Sequence, residues 1–578
     1  VLQNQTNTTF SIEVRVFNDG LAYRLILPGQ GNRRVAFETI GWEISNESVV
    51  WFHSDTKDYE DPIFSQKVVE IPQNTKMVLP VVTENPNNTG YIAFTEGALF
   101  NYSGHVYKSV SGGLFVADFE DDSGGWVMHD TITTPWRIAI ISQDLNGLVN
   151  SDIIHNLCPA PSPDLADAQW IKPGRSVWSW WSSGTGDWNQ QKEFIDKGSK
   201  LGFEYNLIDE LWENWQDKKR DKWTILKELV GYANKQNVKL WVWKYWSEIE
   251  DSKTRRQFFK KLSDIGIVGV KIDFMDSDSK SRIDFYTSTL EDAASFKLMI
   301  NFHGANKPTG ESRTFPNEMT REGVFGLEQN RSYDSIPPTH NAALPFTRYI
   351  AGHGDYTPVT FNPEKLKGTS FVHQLATAVV FTSSITHWAD HPDLYLASPA
   401  LDVIKTIPTI WDETIVLPGS KIGEMAAMAR RKGEDWYIGV INGGGEKTFD
   451  IDVSFLGDGH FKTVTFSDDL EVPNDIIREE MVIDKCEKLR CEMLAGGGFV
   501  ARLTKTDLSL NRIEPVFDSK YLTRPIQVAL KSLNPEAQIY FTTDGSKPTL
   551  KSNVYTRKIG ITEPLILKAS IIDQNKVI

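Results

Sequence analysis

The apolar positions of this chain change period twice, and the changes divide it. From residue 1 to about 160 the runs alternate apolar with polar (SIEVRVF, LAYRLIL, KMVLPVV, YIAFTE, WRIAIIS) between Gly, Asn and Pro turn signals. That pattern predicts a β-sandwich. A proline-bearing linker, CPAPSPDLADAQWIKPG, follows. Apolar strand candidates then alternate with helical patterns: RSVWSWW before a helix over 188–201, YNLID before 223–236, VKLWVWK before 251–264, VGVKIDF before 278–293, then KLMINFHG. Repeated βα units predict a parallel sheet, and about eight of them a (β/α)8 barrel over 161–415. A doubly wound sheet competes, but no glycine-rich phosphate turn is present and polar residues collect after nearly every strand. Short strands return over 416–507 (WYIGVIN, KTFDIDVSF, FKTVTFS, GGFVARLTK) as a C-terminal β domain. Residues 508–578, with QIYFTTDGSKPT, suit an additional small immunoglobulin- or fibronectin-like sandwich.

Composition narrows the partners. A net charge of −15 argues against a nucleic-acid surface, and no run approaches the roughly 20 apolar residues of a membrane helix. Eighteen tryptophans in an acidic chain fit a carbohydrate partner, since sugar C–H faces pack on aromatic rings, although β-rich cores also consume aromatics. There are three cysteines. Cys486 and Cys491 are spaced for a hairpin disulfide, which leaves Cys158 single; a zinc site lacks a second Cys/His pair. The chain opens almost directly into strand alternation, as though earlier residues were removed or not included.

In a barrel the C-terminal strand ends face the site. They carry Trp180 and Trp181, Asp209 and Glu210, Trp243 and Lys244, Lys271 and Asp273, Asn301 and His303. Each alone has an ordinary explanation as a helix cap or ion-pair partner. Together they suit a polyhydroxylated ligand and a developing cation. Lys271 and Asp273 alternate with Val270 and Ile272, so both point to one side of their strand. A further stretch, NEMTREGVFGLEQN (317–330), has no helical or strand period and places Glu318, Glu322 and Glu328 on glycine-punctuated backbone. It reads either as a solvated acidic loop or as a proton donor beside oxygen ligands for a hard cation.

The K-x-D at Lys271 and Asp273, with Asp209–Glu210, resembles the clan of retaining α-galactosidase and α-glucosidase barrels. TREGVFGLE (320–328), NFHGANKPTG (301–310) and LPFTRYIAGHGDYTP (344–358) more specifically resemble glycoside hydrolase family 97, over roughly residues 10–505. The resemblance implies a sandwich, a barrel, a C-terminal β domain and an active-site Ca²⁺. It also implies retention of configuration. Asp273 stands where retaining members carry their nucleophile, and Gly304 follows His303 where inverting members carry a base glutamate. Glu328 would be the general acid/base; Glu60, Glu322 and Glu328 would hold calcium. Lys271, Asp209, Glu210, Lys244, Trp243, Asn301, His303 and Trp388 would bind sugar. The implied activity is release of terminal α-D-galactose from an oligosaccharide or glycoside. β-L-Arabinopyranosidase is the nearest alternative, α-glucosidase the next, and a catalytically silent sugar-binding protein the rival from another class. A pocket wall beside the sugar's C5, from Glu210 or Lys244, would separate the first two. The family's members are typically periplasmic or secreted in bacteria. The last module, IYFTTDGSKPTLKSNVYT, resembles the small C-terminal domain appended to some hexosaminidases.

Overall fold

The computed structural model of the protein describes residues 2–3, 9–332, 335–472, 474–506, 513–517, 526–532, 537–573 and 576–577. The expected boundary at 508 lies outside them. Seven parallel strands form the central sheet: β1 (Gly174–Trp178), β2 (Tyr205–Ile208), β3 (Lys239–Tyr245), β4 (Gly269–Asp273), β5 (Met299–Phe302), β6 (Glu318–Arg321) and β7 (Ile385–Trp388). Their spatial order is β6-β5-β4-β3-β2-β1-β7, the sequential neighbouring of a barrel. The linking helices are α1 (Trp188–Leu201), α2 (Lys222–Lys235), α3 (Ser252–Ile265) and α4 (Lys280–Ser295). Their starts are written locally. The carboxylates of Asp187, Asp221 and Asp251 and the hydroxyl of Ser279 accept from backbone N–H groups of the first turn. α1 and α3 stop at Gly202 and Gly266, both left-handed.

The repetition predicts an eighth strand, and none is described between β6 and β7. Residues 354–358 run there instead as irregular backbone. Gly354 N–H donates to Thr382 O (3.0 Å), Asp355 N–H to Arg321 O (3.1 Å) and Ala389 N–H to Pro358 O (3.2 Å). This segment carries Asp355 into the barrel. The apolar run near 373–384 is mainly helix α5 (Phe371–Val380). Glu318–Arg321 is strand, contrary to the aperiodic reading of 317–330. All four of its residues are buried, so polar and apolar positions do not alternate by exposure. Glu318 there pairs with Arg321 (2.6 Å).

On the N-terminal side a nine-stranded antiparallel sheet faces a four-stranded one across a core including Val50, Phe52, Met77, Phe94 and Phe115. After the barrel comes a six-stranded antiparallel sheet with a two-stranded companion. One apolar cluster runs from Ala22 and Ile138 through the barrel to Val500, joining sandwich, barrel and C-terminal domain. The last module has its own small core of Val528, Leu530, Ile539 and Ile571. Cys486 and Cys491 are not bridged: Cys486 is exposed, whereas Cys491 is buried in the domain core. Among the described residues no helix is long and apolar enough to cross a membrane.

Buried ions tie the sandwich to the barrel. Lys307, on the loop after β5, reaches Glu96 at 2.5 Å, and Arg137 brackets Glu96 and Glu38, each at 2.6 Å. Tyr59 Oη donates to Asp278 Oδ2 (2.9 Å), joining the sandwich loop that carries Glu60 to the loop that follows Asp273. Removing one partner of such a buried pair leaves an uncompensated charge, at a cost of about 3–5 kcal/mol.

Candidate active site

Register decides which side chains share the barrel interior. Trp243 is level with Lys271, Lys271 with Asn301, and Tyr245 with Asp273. These positions point inward together. Lys271 is buried and its Nζ lies 3.1 Å from Asp209 Oδ2 and 3.4 Å from Asp273 Oδ2. Burial opposes its charge, but Asp209 and Asp273 outweigh burial and hold its pKa well above the ordinary lysine value. Asp273 Oδ2 also accepts from Trp243 Nε1 (2.8 Å), while Oδ1 accepts from the Phe274 N–H (2.7 Å). Two hydrogen bonds and one ion pair thus converge on the Asp273 carboxyl group. Trp178 Nε1 donates to Asp209 Oδ2 (2.7 Å).

The opposite wall centres on Asp355. Its Oδ2 takes Asn301 Nδ2 (2.7 Å) and lies 2.9 Å from His303 Nε2 and 2.7 Å from His387 Nδ1. Burial opposes ionisation of Asp355, yet His387 and His303 hold its pKa far below the usual range. His303 turns its Nδ1 to Glu322 (3.0 Å) and, less closely, Glu328 (3.7 Å). Burial disfavours the imidazolium and Glu322 outweighs it, so the His303 pKa is raised well above its ordinary value. Sequence reasoning assigned no role to Asp355 or His387. Asp355 lies in the motif 344–358, but on irregular backbone that offers no strand period. His387 adjoins the residue chosen instead, Trp388.

Two expected sugar ligands face the other way. Lys244 is level with Ile272, outside the barrel, where it pairs with Glu213 (2.6 Å) and Glu248 and lies over Phe258 of α3. Trp388 is level with Val177 and packs on Phe203 and Tyr395. One residue of register separates core from pocket on a strand, and both choices fell on the wrong side of it. Glu210 stays at the mouth, accepting from Trp180 Nε1 (3.4 Å).

Gly304, the residue after His303, has no room for a side chain. At φ 51°, a Cβ there would lie 2.7 Å from Asp276 Oδ1 and 3.0 Å from Phe274 Cα. The turn after Asp273, with Phe274 and Asp276 also left-handed, occupies the space a side chain at 304 would need.

A cation would find His303, Glu322 and Glu328 with one ligand atom each within 4.8 Å of one another. Glu328 Oε1 is buried without a hydrogen-bond partner, as an atom awaiting a ligand would be. Burial and then Glu322 drive the Glu60 pKa well above the carboxylate range, and Gln329 Nε2, on the residue after Glu328, donates to Glu60 (2.9 Å). Burial pushes Glu328 up to about 8, against the pull of Lys271, with Glu322 adding to the rise. His303 Nε2 is taken by Asp355, which leaves Nδ1 beside the carboxylate oxygens of Glu322 and Glu328; a set dominated by carboxylate oxygen suits a hard cation such as Ca²⁺.

A parallel barrel whose mouth holds a held carboxylate, a raised one and a ring of hydroxyl-binding groups defines a glycoside hydrolase. Family models agree along the chain. Glycosyl-hydrolase 97 N-terminal matches residues 1–159, Glycoside hydrolase 97 matches 174–324, and Glycosyl-hydrolase 97 C-terminal, oligomerisation, matches 410–504. A Chitobiase/beta-hexosaminidase C-terminal domain matches 518–577. The chain belongs to glycoside hydrolase family 97. It is 30% identical to a retaining alpha-galactosidase of Bacteroides thetaiotaomicron over 564 residues, 86% of this chain and 83% of the relative. It is also 30% identical to a probable retaining alpha-galactosidase of Streptomyces bingchenggensis over 512 residues, 85% and 77%. A family 97 enzyme of Pseudoalteromonas sp. strain K8, solved in complex with acarbose, superposes with a TM-score of 0.78 at 26% identity, covering 86% of each chain.

Proposed function

We propose that the chain is a retaining exo-glycosidase that releases terminal α-D-galactose through a glycosyl–Asp273 intermediate. The observation that carries this is the exchange at two strand ends: an aspartate held by two hydrogen bonds and the Lys271 ion pair closes β4, and the turn behind it fills the place of any side chain at Gly304. A carboxylate oxygen of Asp273 attacks the anomeric carbon as the bond to the leaving oxygen breaks, and Glu328 gives that oxygen its proton. Water then attacks the anomeric carbon, loses a proton to Glu328 and frees Asp273. Lys271 and Asp209 hold sugar hydroxyls, and the Lys271 ammonium offsets the negative charge of Asp273. Asp355 fixes His303 and Asn301 along the far wall. Two relatives named as retaining α-galactosidases support the sugar. The same reading puts the protein in the periplasm or outside the cell.

Glu60, Glu322 and Glu328 would hold Ca²⁺, whose charge would offset their mutual repulsion. This gives a pH test. Glu328 must be protonated to act as the acid, so activity is present below its pKa and lost above it. In the metal-free chain that pKa is about 8. A cation beside the carboxylate favours the charged form, so calcium should move the alkaline limb of kcat/KM to lower pH by about one unit or more. It should also raise the melting temperature; saturation at 100 times Kd corresponds to about 2.7 kcal/mol. Identical limbs and melting curves with calcium and with EDTA would remove the cation from this site.

The function itself is tested by hydrolysis of aryl α-D-galactopyranoside, β-L-arabinopyranoside and α-D-glucopyranoside, with NMR of the first-formed product. Fastest release from the α-galactoside, with α-galactose formed before mutarotation, is expected. β-Galactose as first product would overturn retention. A faster arabinopyranoside would change the sugar, and binding without release would make this a lectin.

A further inference from the structure

We infer that Arg331 and Glu210 form a subsite for the leaving group, built for a hydroxyl-rich ring such as the second sugar of an α-galactosyl disaccharide. The inference rests on the function proposed above and extends it to the other side of the scissile bond.

The two catalytic carboxyls of a glycosidase flank the glycosidic bond, and the leaving group lies on the side of the acid. Behind Glu328 the chain makes one short turn of helix, Gln329–Ser332, with the Arg331 N–H donating to Glu328 O (3.0 Å). That turn puts the Arg331 guanidinium over Trp180, its Cζ 3.8 Å from the ring centre. Trp181 anchors the same segment from below, donating its Nε1 to Leu327 O (3.0 Å). Trp180 is also stacked on Trp178, 5.3 Å away and 18° from parallel. Its ring is thus packed against both Arg331 and Trp178. What the mouth presents there is the guanidinium. Among the described residues no hydrogen bond or ion pair occupies its N–H groups, and its only partner is the indole.

Glu210 supplies the complementary chemistry. It receives the indole N–H of Trp180 on Oε1 and is only partly buried. Donors on a planar fork and acceptors on a carboxylate, both positioned by one indole, match adjacent hydroxyls of a sugar. An aryl leaving group offers no adjacent hydroxyls for the pair to hold. The subsite is thus selective for what departs, while Lys271 and Asp209 select what stays.

The test compares 4-nitrophenyl α-D-galactopyranoside with an α-galactosyl-(1→6)-hexose in the wild-type enzyme and in Arg331→Ala, Arg331→Lys and Glu210→Gln. Arg331→Ala should lower kcat/KM on the disaccharide about tenfold or more and change the aryl substrate less than about threefold. Arg331→Lys, which keeps charge but not the fork, should restore only part of the loss. Glu210→Gln should show the same contrast in smaller measure. Equal losses on both substrates would make Arg331 a structural brace for Glu328 and overturn the subsite. An unchanged rate on the disaccharide would overturn it too. A wild-type enzyme that releases no galactose from the aryl glycoside would overturn the function itself, which separates the two failures.

Discussion

Replacing Asp273 by glycine should cut hydrolysis of an aryl α-galactoside by about 10⁴-fold or more, the scale on which losing a catalytic group acts. Sodium azide should then restore turnover and yield β-galactosyl azide, because a small anion in the emptied space attacks from the face the carboxylate used. The structure favours this outcome. Three donors, from Trp243, Lys271 and the Phe274 backbone, converge on the two carboxylate oxygens and would remain to hold an anion. The variant also leaves those donors without their acceptor, at about 1–3 kcal/mol of stability. A melting curve is therefore the control. A folded variant that keeps ordinary activity, or azide rescue giving the α-azide, would mean that the nucleophile lies elsewhere.

Glu328→Gln should separate substrates by their leaving groups. An alkyl or sugar α-galactoside needs its departing oxygen protonated and should lose about 10²–10⁴-fold. A dinitrophenyl α-galactoside departs without a proton, so the first step should stay fast. The second step loses its base, and a burst of dinitrophenol followed by slow turnover is the expected trace. Glu322→Gln is the informative partner. Glu322 accepts from the Gly304 N–H (2.8 Å) and faces His303, so its loss should weaken the proposed calcium binding without leaving-group dependence. If Glu328→Gln slowed all leaving groups alike, its role would be that of a cation ligand, not a proton donor.

The wall opposite Asp273 shows how distant pieces converge. Asp355 joins Asn301 and His303 of one stretch to His387 of another through one oxygen, and His303 passes the order on to Glu322. The buried ions between sandwich and barrel add a second constraint, since the Tyr59–Asp278 bond couples the loop of Glu60 to the loop of Asp273. The proposed nucleophile, acid/base and cation ligands are therefore held by loops that brace one another.

Much of this was legible in the sequence because local rules were at work. The period changes near 160 and 415 follow from strands and helices burying different stripes, and α1 to α4 begin within two residues of where the pattern put them. Lys271 and Asp273 could be placed together because a strand has a period of two. Asp209, Trp243, Asn301, His303, Glu322 and Glu328 meet as strand-end logic and family motifs implied. Tertiary structure decided what no local rule reaches. It turned Lys244 to Glu213 and Trp388 to Phe203, because the register of each strand against its neighbours assigns a residue to the pocket or to the helices. It replaced an eighth strand with the irregular segment that delivers Asp355, and kept Cys486 away from Cys491 by burying only one of them. It also laid Arg331 across Trp180, which the spacing of the two along the chain does not suggest. Periodicity names the residues that can face a cavity; the packing of one element on the next settles which of them do.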